Sequence, residues 1–380
     1  MHVVHVTPTF FDEQSVIGGG ERYPSELATW MARRTPTTLV SFSRRRQSAR
    51  RGDLRLEIYP VRHLLQGNKC NPLSFRFLAE TLRADVVHTH GIYTLVSDLA
   101  CLAGAARGKP VFVTEYGGGG ARVLSNRLPV LPRYRAAVAY SQFGLEDLTP
   151  VLRAKARLIK GGIDTERFCP DPAVPKQKHI LFVGRILPHK GVNDLVAAFR
   201  LFDQPGYRLR IVGRVYHERF YADLQEMARG LAVDFIHDAD DARIIQEYRT
   251  AQATVLPSVH RDLYGNHSGV PELMGFTLLE SQACGTPAVC TDAGAMSEFV
   301  QAGVTGAVAA QNSPESLCAA LRQFAGRDGD LALRAACVDF ARRLNWESVV
   351  AQHLQLYRTD TPHNLYREQG TPANPSPHVQ

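Results

Sequence analysis

The stretch Pro271-Glu-Leu-Met-Gly-Phe-Thr-Leu-Leu-Glu-Ser-Gln-Ala-Cys-Gly-Thr-Pro-Ala-Val289 carries the reading of this chain. It places Glu272 and Glu280 on either side of a glycine that opens a helix. Glu280 is expected about one turn into a helix begun by Gly275 or Phe276, while Glu272 stays in the preceding loop. A carboxylate accepts two hydroxyl hydrogen bonds, which suits a vicinal diol. The amides of Met274, Gly275 and Phe276, with the Thr277 hydroxyl, sit where a helix N-terminus binds an anion. Taken singly, Glu280 reads as a helix-dipole or salt-bridge residue.

Working outward, Val183-Gly-Arg-Ile-Leu-Pro-His-Lys-Gly191 follows the strand-like His179–Val183. Arg185 offers a planar fork and Lys190 a point charge, and at this spacing both can converge on one diphosphate. An isolated Arg and Lys read as a solvated pair; flanking glycines, strand context and the downstream glutamates shift that reading. Together these read as a site expected to hold a diphosphate by cations and helix amides, and a sugar and ribose by carboxylates. Near the N-terminus, Ile17-Gly-Gly-Gly-Glu-Arg-Tyr-Pro24 precedes a helix from Ser25. The glycines allow a tight turn and close approach of a phosphate, and Pro24 suits a first helical turn. The pattern is not G-x-G-x-x-G, which disfavours a dinucleotide-dependent dehydrogenase.

The chain of 380 residues has room for two ordinary domains. Strand-like runs at Val3–Val6, Thr38–Phe42, Asp85–Thr89, Val111–Thr114, His179–Val183, Arg208–Val212, Val233–Ile236, Ala253–Leu256 and Ala288–Thr291 alternate with helical periodicity. This β-α alternation predicts parallel sheets covered by helices on both faces. The pattern restarts after Pro170-Asp-Pro-Ala-Val-Pro-Lys-Gln-Lys178, which reads as an interdomain linker. The fold class is therefore α/β, two doubly wound Rossmann-like domains facing a cleft at the carboxyl ends of their strands. Domains are placed at residues 1–169 and 170–345, followed by a helix at 346–358 and a disordered Pro-, Thr- and Asn-rich tail at 359–380.

A composition of 44% hydrophobic and 21% charged residues is that of a globular soluble protein. No run reaches the ~18 to 20 apolar residues of a membrane span. Met1 leads straight into a strand without a basic n-region or cleavage site, so no signal peptide is expected. The 7 cysteines are scattered, without a C-x-x-C pair, which fits a reducing cytoplasm. The net charge is +7, densest at Arg44-Arg-Arg-Gln-Ser-Ala-Arg-Arg51. That run reads either as a solvated loop or helix face, or as a surface for an anionic membrane or acceptor. Nucleic acid is not an expected partner, since no basic stretch is interleaved with stacking aromatics.

These motifs together resemble the family 4 retaining glycosyltransferases of the GT-B fold, from Met1 to about Tyr357. The strongest parts are Val183-Gly-Arg185 with Lys190-Gly191, and Pro271-Glu-Leu-Met-Gly-Phe276 with Glu280 and Ala283-Cys-Gly-Thr-Pro287. Supporting matches are Gly18-Gly-Gly-Glu-Arg22, Asp85-Val-Val-His-Thr-His90, Ser141, Gly162-Ile-Asp164 with Phe168, Leu256-Pro-Ser258, and Gly294 with Glu298. The resemblance implies an N-terminal acceptor-binding domain and a C-terminal nucleotide-sugar-binding domain, with the last helix packing back on the first. It implies that Arg185 and Lys190 bind the diphosphate, Glu280 the ribose and Glu272 the transferred sugar. Gly184, Met274, Gly275, Phe276 and Thr277 would line the donor site, the Gly19 amide would approach its phosphate, and the base would lie against backbone at Ile236 and His237.

The expected partners are a nucleoside diphosphate sugar and a glycan or lipid-linked acceptor, with no cofactor and no metal. The expected location is cytoplasmic, with peripheral contact at the inner face of the cell membrane. Arg185, Lys190 and Glu272 would carry catalysis. Two departures touch the acceptor and sugar side. Tyr116, in Thr114-Glu-Tyr-Gly117, stands where the family has a His that hydrogen-bonds the donor sugar; Tyr can still donate a hydrogen bond, with a changed reach and donor-sugar contact, and His90 would lie near the same cleft. Gly161 replaces the family's Asn, and Gly117 to Gly120 form a loose run. Competing readings are a catalytically weak glycosyltransferase-like binding subunit, a sugar-nucleotide epimerase of the same fold, and an inverting transferase.

Overall fold

A computed structural model of the chain describes residues 1–10, 19–68, 70–116 and 124–359. The expectations for Gly18, for Gly117 to Gly120 and for the tail beyond residue 359 fall outside the described residues.

The first lobe runs β1 (Val3–Phe10), α1 (Gly19–Ala32), β2 (Thr37–Ser43), β3 (Gln47–Arg51), β4 (Leu54–Pro60), α2 (Leu78–Arg83), β5 (Val86–His90), α3 (Leu95–Ala106), β6 (Val111–Thr114), β7 (Ala136–Ala139), α4 (Gln142–Asp147), α5 (Pro150–Arg153) and β8 (Ala156–Leu158). Its sheet has the order β3-β4-β2-β1-β5-β6-β7-β8. All neighbours are parallel except the β3–β4 hairpin.

The second lobe runs β9 (His179–Val183), α6 (Val192–Phe202), β10 (Arg208–Val212), α7 (Glu218–Met227), β11 (Val233–Ile236), α8 (Asp241–Thr250), β12 (Ala253–Leu256), α9 (Phe276–Ala283), β13 (Ala288–Thr291), β14 (Gly306–Ala309), α10 (Pro314–Arg322), α11 (Leu331–Arg343) and α12 (Trp346–Thr359). Its sheet is wholly parallel, in the order β11-β10-β9-β12-β13-β14. Strand direction of winding reverses between β9 and β12. The loops leaving those two strands therefore flank the crevice where open α/β sheets bind ligands.

Strands β3, β4, β7, β8 and β14, absent from the expected runs, and the start of α1 differ from the sequence expectation. The Arg-rich run is neither loop nor helix in its second half: Gln47–Arg51 is an exposed edge strand pairing with β4. Five exposed residues, four of them polar, carry no apolar alternation, so periodicity could not reveal it, and a charged edge of this kind blocks pairing with other chains. Helix α1 starts at Gly19 rather than Ser25, leaving Pro24 inside the helix rather than in its first turn. The short β7, Ala-Ala-Val-Ala, has little β propensity and is defined by burial between β6 and β8.

The lobes are joined at two crossings of the chain that touch each other. Gly162 and Ile163 donate their amides to Leu344 O at 2.7 and 3.2 Å, and Trp346 N donates to Ile163 O at 3.2 Å. Gly161 has φ 104°, and a Cβ there would lie 2.5 Å from Leu344 O, which explains why no larger residue stands here. Past this crossing α12 returns to the first lobe. Trp346 and Tyr357 are fully buried, and the Trp346 indole N–H donates to Glu26 Oε2 of α1 at 2.8 Å.

A second polar clasp links the lobes. The amides of Gln142 and Phe143, at the start of α4, donate to Glu298 at 2.8 and 2.9 Å, and Lys160 pairs with the same carboxylate. Burial alone would raise the Glu298 pKa; Lys160 and the two amides outweigh it and hold the group below its ordinary value.

Candidate functional site

Site geometry begins at the end of β9. Gly184 lies against Gly213 after β10, where a Cβ would stand 1.8 Å from Gly184 O. Arg185 follows, exposed, with its guanidinium 5.9 Å from the Tyr216 ring centre. Lys190 ends a single 3-10 turn, Pro188–Lys190, and is buried. Gly191 then turns the chain into α6 with φ 63°, and a Cβ there would meet Pro257 O at 2.0 Å. This contact between the β9 and β12 loops brings Lys190 to Glu272. Its ammonium pairs with Glu272 Oε1, and Ser258 Oγ donates to the same oxygen at 3.2 Å. The Glu272 backbone is fixed from the β13 side, where Ala295 N donates to Glu272 O at 2.9 Å. Beside the pair, burial and then the Lys190 charge push the His189 pKa down to about 4.

Helix α9 begins at Phe276, with Gly275 at its N-cap and no capping side chain. Of its first-turn amides, Phe276 N donates to Met274 O and Leu278 N to Gly275 O, which leaves the Thr277 N–H for an anion. The Thr277 hydroxyl donates to Val183 O at 3.3 Å, docking this helix end on the end of β9 beside Gly184 and Arg185. Met274 is buried just before it. One turn on, Glu280 is only 4% exposed. Tyr248 donates its hydroxyl to Glu280 Oε2 at 2.7 Å, and Arg22 of the first lobe donates to Oε1 at 2.6 Å.

Arg22 also pairs through Nε with Glu26, and its guanidinium lies 5.7 and 5.5 Å from the ring centres of Phe168 and Phe276. Burial would lower the pKa of Arg22, but Glu280 and Glu26 outweigh it and hold the guanidinium above its usual value. Sequence reading missed Arg22, Glu26 and Tyr248. The available signal was the Glu-Arg pair directly after the glycine triplet, yet its partner lies 258 residues away.

The other expected residues sit further out. Gly19 opens α1. Ile236 ends β11, and the exposed His237 is fixed by Gly213 O at 2.8 Å and the Tyr221 hydroxyl at 2.9 Å. On the sugar side, the Tyr116 hydroxyl bonds inward to His90 Nδ1. His90 is not at the cleft surface but 1% exposed. It belongs to a stack with His5 and His88, set on one sheet face by the two-residue strand period and by the His5–His88 register. His5 Nδ1 lies 2.9 Å from His90 Nε2 and His5 Nε2 lies 3.3 Å from Met31 Sδ. The thioether cannot donate, so His5 donates to sulfur, His90 to His5, and Tyr116 to His90. Burial lowers the pKa of every ring in this layer, His5 to about 3.

The site thus rests with each carboxylate matched to a cation, Glu272 to Lys190 and Glu280 to Arg22. Beside them lie an uncapped helix N-terminus and the exposed Arg185. A ligand with two phosphates and two sets of hydroxyls can exchange for these internal pairs. Among the described residues no group of three or more His, Cys, Asp or Glu is placed to hold a metal ion, and no helix is long and apolar enough to cross a membrane.

Known proteins agree with this architecture. The family pattern described as Glycosyl transferases group 1 matches residues 165–343, and that described as Glycosyltransferase Family 4 matches residues 17–167. A D-inositol 3-phosphate glycosyltransferase of Acidothermus cellulolyticus is 31% identical over 56% of this chain and 50% of its own length, so this chain spans about half of that relative. The enzyme of the same name from Actinosynnema mirum is 28% identical over 93% of this chain and 95% of its own. Among solved structures, HepE of Anabaena in complex with UDP and glucose superposes with a TM-score of 0.67 at 15% identity, covering 94% of this chain and 100% of that one. With two Rossmann-like lobes of the GT-B type and both family patterns laid end to end, the chain belongs to glycosyltransferase family 4.

Proposed function

We propose that the chain transfers a hexose-type sugar from a nucleoside diphosphate sugar to an acceptor hydroxyl, with retention at the anomeric carbon. The supporting observation is the Lys190–Glu272 pair beside the uncapped N-terminus of α9, at the winding reversal of the second sheet. In this reading the diphosphate takes Lys190, Arg185 and the α9 amides. The sugar hydroxyls take Glu272 and the ribose takes Glu280. As the glycosidic bond loosens, negative charge grows on the departing diphosphate and these groups stabilise it in place; one preorganised donor of this kind contributes ~3 to 4 kcal/mol. The acceptor enters on the face the diphosphate leaves, and a phosphate oxygen takes its proton, so no separate protein base is needed. Side-chain cations fill the charge-stabilising role, and turnover is expected to survive chelation of divalent metals.

The names of the relatives support an acceptor hydroxyl on a polar or phosphorylated molecule, and HepE supports a uridine donor as the first to try. The exposed Arg44, Arg45, Arg50 and Arg51 around the β3 edge support a glycan or lipid-linked acceptor held near an anionic membrane. Incubation with UDP-, GDP- and ADP-sugars tests the reading: slow release of the nucleoside diphosphate is expected from one of them. Tight binding without any release or transfer would instead mark a binding subunit.

A further inference from the structure

Glu280 accepts hydrogen bonds from both lobes at once. Its Oε2 takes the Tyr248 hydroxyl of α8 at 2.7 Å, and its Oε1 takes Arg22 NH1 of α1 at 2.6 Å. Among the described residues these are the donors to that carboxylate. An ionised carboxylate has about four acceptor directions, two on each oxygen. One direction on each oxygen is used, and one on each remains. That is the complement of a vicinal diol, which brings two O–H donors at the spacing of two carboxylate oxygens.

The cation is itself immobilised. Glu26 holds Nε, the Trp346 indole holds Glu26, and the Phe168 and Phe276 rings lie on its flanks. A hydrogen-bonded chain Trp346–Glu26–Arg22–Glu280–Tyr248 therefore crosses from α12 through α1 to α9 and α8. Arginine suits this place because its planar fork bonds two carboxylates in fixed directions, which an ammonium does not. Removing it would leave Glu26 and Glu280 as two largely buried carboxylates without their shared cation.

We infer that Arg22 is a positioning residue for ribose recognition: reaching across from the first lobe, it fixes the Glu280 carboxylate so that its free acceptor directions meet the 2′- and 3′-hydroxyls of the nucleotide. The inference rests on the reading that Glu280 meets the ribose. It adds that the ribose site is complete only when the lobes are together, because half of the carboxylate's support comes from the other lobe. Lobe closure and nucleotide recognition are then one event.

The test compares UDP, GDP and ADP with their 2′,3′-dideoxy counterparts by isothermal titration, using whichever base the unaltered protein binds most tightly. The unaltered protein is expected to prefer the ribonucleotide by about 10- to 100-fold, the range for hydrogen bonds to a charged group. Glu280→Gln should erase most of that preference. Arg22→Met, which keeps an unbranched stem between the two rings, should erase it too, while Arg22→Lys restores part of it. Thermal melting confirms that each variant is folded. A general structural loss would weaken both nucleotides equally and leave the ratio intact, and that result in Arg22→Met overturns the inference alone. A ratio unchanged in Glu280→Gln overturns the ribose reading of Glu280, and the role of Arg22 falls with it.

Discussion

At the residue scale the donor-free site neutralises itself, and this makes single substitutions asymmetric. Lys190 and Glu272 are each largely buried, with side-chain exposures of 11% and 14%. Under the proposed function, Lys190→Ala removes a phosphate-binding cation and also strands Glu272. Under the same reading, Glu272→Ala strands the lysine while removing the sugar contact. Both variants are expected to lose at least about 100-fold in kcat/KM, the cost of one preorganised charge-stabilising group. Both should still melt cooperatively; near-full turnover in either would contradict the assignment. Tyr116→Phe tests the inward hydroxyl. It leaves His90 Nδ1 without its donor in a buried layer, and a stability loss of about 1 to 3 kcal/mol is expected in urea unfolding. An unchanged midpoint would mean the hydroxyl points elsewhere.

Much of this site was legible because its residues are local in sequence. Arg185 and Lys190 share one loop after β9, and Glu272 and Glu280 bracket one helix start, so spacing alone places them. Arg22 was not legible, since nothing in a single helix says that its partner lies in the other lobe. The inward bond of Tyr116 was not legible for a related reason. The direction of its hydroxyl is set by a chain ending at Met31, and His5, His90 and Met31 come from different elements.

At the element scale, helices α4, α9 and α12 show how ends rather than middles connect the lobes. The start of α4 is closed by Glu298 from the second lobe, whereas the start of α9 carries no capping side chain. One end is spent on structure, and the other is the end that the proposed function gives to the diphosphate. Glu298→Ala should therefore cost about 0.5 to 2 kcal/mol, as for other lost caps, measured by denaturant unfolding. Helix α12 begins with Trp346 and ends against the histidine layer, where Tyr357 bonds His88. Trp346→Ala should cost about 3 to 5 kcal/mol. Strands β1, β2, β5, β6 and β9 to β13 were readable as apolar runs between helical patterns. Strand β4 went unread although Leu54, Leu56 and Ile58 alternate along it, and β3, β7, β8 and β14 went unread because pairing and burial define them rather than their own composition.

For the whole molecule, the seat of α12 on the first lobe carries a pH signature. His5, His88, His90 and His353 are buried together between the first sheet and α12, and burial lowers each pKa, to about 3 for His5 and about 4 for His353. In the unfolded chain these rings titrate near 6.5. Between about pH 6.5 and 4 the unfolded state then binds protons that the folded state does not. Stability is full above about pH 6.5 and falls as the pH drops through that window. A melting temperature lower at pH 5 than at pH 7.5 is expected, by several degrees; a flat profile would contradict a neutral, buried layer. The same layer anchors α12, so acid should also loosen the support of the first lobe by the chain's last helix.

The account as a whole depends on where a nucleotide sits. A crystal structure of the protein with the nucleoside diphosphate that stabilises it most is the direct test. The phosphates are expected at Lys190, Arg185 and the first turn of α9, with the ribose hydroxyls on Glu280 between Tyr248 and Arg22. Density for the nucleotide anywhere else, with Lys190 still paired to Glu272 and Glu280 untouched, would contradict it.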